Sequence, residues 1–84
     1  MFDVFFTLRS VTRGQRGSEA LRRAGVESRL LRAPREIAPE GCGYALAVRS
    51  RDWVRGLRVL EAAGLGTEGQ FRRLRDGGFE RLRP

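Results

Sequence analysis

With 84 residues and a formal charge of +7, the chain is one small basic unit whose core cannot enclose a large active site. Its single cysteine cannot form an internal disulfide, and the lack of histidine excludes most metal sites and any Cys-His nucleophile pair. No apolar run approaches the ~20 residues that span a membrane, and MFDVFFTLRS has no signal-peptide start, so the expected location is the cytoplasm. All 17 basic residues are arginine, which fits either nucleic-acid contact or a genome that writes its surface cations as Arg.

The elements follow in chain order. Phe2 to Arg9 alternates, with Phe2, Val4, Phe6 and Leu8 on one face and Phe5 as the exception, which predicts a strand. Next, Ser10 or Thr12 can cap a helix, Thr12 and Gln15 have capping-box spacing, and Gly25 is a natural stop. Gly14 and Gly17 each weaken that helix by ~1 kcal/mol relative to Ala. They either allow close packing on a sheet or move its start toward Ser18. Val26 to Arg32 is a second strand, and Pro34 to Gly43 is a loop. Gly43 to Arg49 is a third strand, with Tyr44, Leu46 and Val48 opposite small Ala45 and Ala47. SRDWVRGLRVLEAAG is a helix with Ser50 as N-cap, Asp52 at its positive end and Gly64 as its stop. Thr67 to Leu74 is a fourth strand with Phe71 inward.

Residues 75–84 read as a basic C-terminal tail that could be disordered, which leaves 1–74 as a single domain. The order predicts an α+β, ferredoxin-like βαββαβ fold: a four-stranded antiparallel sheet with two helices on one face. That plan hosts many unrelated functions, so function has to be argued from a site.

The site candidate is PREIAPEGCG, Pro34 to Gly43, which holds the only cysteine. Pro34 and Pro39 stiffen the backbone, while Gly41 and Gly43 leave Cys42 open to close approach. If the loop folds back, Arg35 or Arg32 could support a thiolate, and Glu36 and Glu40 oppose this. A buried free cysteine acting as a small apolar filler is the competing reading. Arg35 and Glu36 could equally form a solvated surface pair worth under ~1 kcal/mol. Ile37 is expected to plug the core.

PREI followed closely by CG, between two βα units, resembles the Se/S carrier protein-like family, small bacterial domains long classed as of unknown function. The resemblance covers about residues 2–74, including ALRRAGV and GLRVLEAAGL, and the PRE(I)…CG loop is its specific part. Members carry Ser after the Ile and small polar residues before the Cys. Here those positions are Ala38 and Pro39-Glu40-Gly41, and the basic tail falls outside the family pattern. The resemblance implies a carrier, not an enzyme, with Cys42 holding a terminal sulfur or selenium as a persulfide or selenopersulfide. Arg35, with Glu36, Gly41 and Gly43, would form the binding surround. Sulfur or selenium donor and acceptor proteins would be its partners, with no cofactor and no metal. No second cysteine exists to discharge a loaded Cys42 as a disulfide, which suits a carrier.

Two other readings stand beside it. One is a non-catalytic small-molecule or protein-interaction module, dimeric through a flat face of Phe5, Ala45 and Ala47. The other is an RNA binder. There the third strand lacks the aromatics of RNA-recognition sheets and Phe5 is the one candidate stacker, which leaves only weak electrostatic association.

Overall fold

The computed structural model describes residues 1–39 and 43–83. Its elements are β1 (Val4–Leu8), α1 (Val11–Arg23), β2 (Arg29–Arg32), β3 (Tyr44–Val48), α2 (Trp53–Ala62), β4 (Gly69–Arg73) and β5 (Phe79–Leu82). The strands form one antiparallel sheet in the order β2-β3-β1-β4-β5. The class is α+β with both helices on one face, as expected, but the sheet has five strands and not four.

The additional strand comes from the stretch read as a tail. Its RDGG sequence is a hairpin turn: Asp76 Oδ1 accepts from Gly78 N at 2.8 Å, and Leu74 N donates to Gly78 O at 2.7 Å. The chain then returns along β4, with Phe79 opposite Arg73 and Leu82 opposite Gln70. Arginine-rich composition concealed a two-strand signal carried by one Asp-Gly turn and two apolar residues.

Ser10 caps α1, its Oγ accepting from Arg13 N at 3.2 Å, so the helix starts well before Ser18. Both helices end alike. Gly25 and Gly64 adopt φ of 78° and 74°, and the next residues, Val26 and Leu65, donate back to Leu21 and Leu60 at 2.8 and 2.9 Å. Val26 and Leu65 are thereby driven into the core. Arg55 of α2 donates to the Ala24 carbonyl and ties the two helices together. The start of α2 differs from expectation. Ser50 begins a short 3₁₀ turn, and the Asp3 carboxylate accepts from both Ser50 N (3.1 Å) and Ser50 Oγ (2.7 Å).

Alternation in β1 divides its side chains between two apolar clusters. Val4, Phe6 and Leu8 meet Leu21, Leu57 and Leu60 under the helices. On the other face Phe5 lies with Ala45, Ala47 and Ile37. That second face is covered, so Phe5 is only 2% exposed, and neither base stacking on Phe5 nor flat pairing through Ala45 and Ala47 is available. Phe79 closes over it, ring to edge at 5.6 Å, together with the loop residue Ile37.

Gly14 and Gly17 seat α1 on the sheet. A Cβ at Gly17 would lie 2.6 Å from Leu46 Cδ1 and 3.1 Å from Leu60 Cδ2, and both leucines are fully buried. A Cβ at Gly14 would meet Leu30 Cδ1 at 2.6 Å, but Leu30 is only partly buried and can turn aside. Gly17→Ala is therefore expected to destabilise by about 1–2 kcal/mol, overpacking outweighing the helix propensity gained. Gly14→Ala should be near neutral. Thermal melting distinguishes them: a fall of about 5–10 °C for the first and little change for the second.

Candidate functional site

The cysteine loop is built from its two ends inward. At its neck Ala33 N donates to Gly43 O at 3.2 Å. Pro34 then starts a single helical turn, its carbonyl accepting from Ile37 N at 3.1 Å and Ala38 N at 3.0 Å. The turn is docked with the two side chains after Pro34 outward and the next two inward. Arg35 and Glu36 are accordingly exposed, while Ile37 and Ala38 are each 8% exposed. Ile37 does plug a core, but it is the one on the helix-free face. The apolar anchor of the loop is thus Ile37 set on Phe5 and the β3 alanines.

Gly43 returns the chain to β3 with φ of 139°, and a Cβ there would stand 3.3 Å from the Leu8 carbonyl oxygen. A side chain would be strained on both counts, so glycine at this position is a backbone requirement. Cys42 and Gly41, with Glu40, lie outside the described residues. Among the described residues no ion pair joins Arg35 to Glu36.

Between the loop and the end of β1 lies a cleft of about 230 Å³, lined by Ala38, Pro39 and Gly43 on the loop side and by Thr7, Phe71 and Arg81 on the sheet side. It is smaller than the ~300–1,000 Å³ typical of sites for drug-sized ligands and cofactors. Its floor is satisfied internally: Thr7 Oγ1 donates to Gly69 O at 3.3 Å, and Glu68 N donates to Thr7 O at 2.9 Å. The Glu68 carboxylate is drawn away by Arg9 at 2.7 Å. Arg81 lies with its Cζ 5.5 Å from the Phe71 ring centroid and donates to the Glu68 carbonyl at 3.4 Å.

Arg81 is the cation that sequence reasoning missed. Arg35 is exposed on the loop's outer turn and does not line the cleft, whereas Arg81 does. It belongs to β5, and only the hairpin at Asp76 brings it back to the loop. A cleft of this size, with mixed polar and apolar walls, the Arg81 guanidinium and a Glu68 carboxylate already paired with Arg9, can seat a small anion or a thiolate. Among the described residues no three acidic or cysteine side chains cluster to hold a metal ion.

The family described as "Putative Se/S carrier protein-like" matches residues 3–72. The chain belongs to that family. The matched span includes the whole β2–β3 loop and ends within β4, so β5 and Arg81 lie beyond it. Neither the curated proteins nor the solved structures provide a match. No helix in the described residues is long and apolar enough to cross a membrane.

Because Ile37 anchors the loop, Ile37→Ala is expected to cost about 2 kcal/mol and lower the melting temperature by roughly 10 °C. Amide exchange should quicken first at Ala33 and Ala38, whose hydrogen bonds hold the loop's neck and turn. Unchanged exchange at both would show that Ile37 does not hold the loop.

Proposed function

We propose that the chain carries sulfur or selenium on Cys42, between a donor and an acceptor protein. The observation that carries this reading is the family match across the entire β2–β3 loop. Its geometric support is a cleft bordered by Pro39 and Gly43, the described residues on either side of Cys42. The strand order suits a ferredoxin-like plan extended by one edge strand.

The transfer needs one accessible thiolate and no net redox change. The Cys42 thiolate attacks the outer sulfur of a donor persulfide. The new bond is Cys42 Sγ to that sulfur, the bond broken is the donor's S–S, and the donor leaves as a thiolate. Delivery repeats the step, with an acceptor thiolate attacking and Cys42 leaving. A selenopersulfide transfers selenium in the same way. Nothing is turned over, so the protein is a stoichiometric carrier and not an enzyme. A cation close to the thiol favours the thiolate both as nucleophile and as leaving group. On this reading Arg81 serves that role from the cleft rim, and exposed Arg35 serves docking to an acidic partner. Gly43 places no side chain on the cleft wall.

Intact mass after incubation with glutathione persulfide tests the reading. One added sulfur atom, removed by a thiol acceptor and lost in Cys42→Ser, is the expected result. Arg81→Ala should slow Cys42 alkylation near neutral pH more than Arg35→Ala does. A folded protein that takes up no sulfur, and whose Cys42 alkylates only after unfolding, would sink the carrier and leave the interaction module.

A further inference from the structure

We propose that the helix-free face of the sheet binds single-stranded RNA, without strong sequence preference, through Arg29, Arg73 and Arg81. This goes beyond the carrier reading and does not depend on Cys42.

The register produces the surface. Arg29, Ala47, Phe5, Phe71 and Arg81 are consecutive partners across β2, β3, β1, β4 and β5. They make one straight row over the full sheet, about 19 Å wide at ~4.8 Å per strand, with an arginine at each end. Arg73, opposite Phe79, lies on the same face two residues along from Phe71. The strand positions of this face carry those arginines and no acidic residue. All three are exposed, and none takes part in an ion pair among the described residues.

Each guanidinium also lies over a phenyl ring. Arg29 is 5.0 Å from the Phe2 centroid, Arg73 is 5.1 Å from Phe5 and 5.6 Å from Phe79, and Arg81 is 5.5 Å from Phe71. A guanidinium packed within cation–π distance of a ring has less freedom to lose, and its exposed part can meet a base while its N–H groups reach phosphate. The sequence alone allowed only weak electrostatic association, because Ala45 and Ala47 stand where stacking aromatics would be. In the fold those alanines are buried, and the stacking surface is provided by arginines backed by phenylalanines.

Charge complementarity selects a polyanion. The exposed guanidiniums select one whose bases are unpaired, because a duplex keeps its bases stacked internally and out of their reach. Stacking on guanidinium accepts any base, so binding should tolerate sequence.

Fluorescence anisotropy with the full chain and a labelled oligouridine of about 16 nucleotides tests this. A duplex RNA of the same phosphate count is the comparison. We expect tighter binding to the single strand, with a log–log salt slope near −2 for three phosphate contacts. The Arg29→Ala/Arg73→Ala pair, outside the cysteine cleft, should weaken binding at least about tenfold and flatten the slope to about −0.7. Arg13→Ala/Arg16→Ala, an equal charge loss on exposed α1 positions, should stay within about twofold. If removing Phe-backed arginines disturbs folding, Arg29→Lys/Arg73→Lys keeps the charge, and its expected weakening reports the stacking alone. Equal binding of duplex and single strand, or equal loss from the α1 pair, would overturn the proposal.

Discussion

Burial of β1 on both of its faces is the constraint on which the rest depends. All five of its residues are buried, from Val4 to Leu8. A strand at the centre of an antiparallel sheet can leave one face wet, provided that face is polar. Phe5 removes that freedom, and the chain must cover two sides with only two helices. Both helices serve the Phe6 side. The Phe5 side is closed by what remains: the Ile37 turn of the β2–β3 loop, Phe79 of β5, and the stems and guanidiniums of arginines. The loop that carries Cys42 is therefore pinned to the core through Ile37. Packing and candidate chemistry meet in one short segment.

The all-arginine composition becomes meaningful at this second layer. A lysine ammonium is compact and strongly hydrated, and would resist lying flat on a ring. A guanidinium is planar and weakly hydrated, so it can shield a phenyl ring from water and still present its charge outward. Arg29 and Arg49 flank Phe2, at 5.0 and 4.4 Å from its centroid, while Arg73 spans Phe5 and Phe79. The net positive charge is in part the outer surface of the core. Other arginines sit in ion pairs, which add nothing to the net charge. Arg22 bonds both oxygens of Glu19 and so holds that carboxyl below its usual range, although both side chains are well exposed and the pair is worth little.

Residues beyond the family match complete the cleft. β5 adds an edge strand, shields the Phe5 layer through Phe79, and sets Arg81 at the rim beside Gly43. A cation near a transferable sulfur can come from any element that reaches the loop, because electrostatic support depends on distance and not on chain order. That freedom explains how a support residue can sit far along the chain from the cysteine it would serve.

By itself the sequence determined the local order. Period-two alternation marked β1 and β3, because successive side chains of a strand point to opposite faces. Ser10, Gly25 and Gly64 marked helix ends, because caps are satisfied within a few residues. PREI…CG marked the loop and the family. Other features were decided only by tertiary structure, because they arise from residues distant in the chain. Asp3 caps Ser50 across the sheet, Phe5 is buried beneath a loop residue, and Gly17 must be glycine because two distant leucines meet it. The fifth strand rests on both levels: its turn is local, but its pairing with β4 is what makes strand of an arginine-rich segment. Arg81 reaches the cleft and the arginines share one face for the same reason, since register alone places them there.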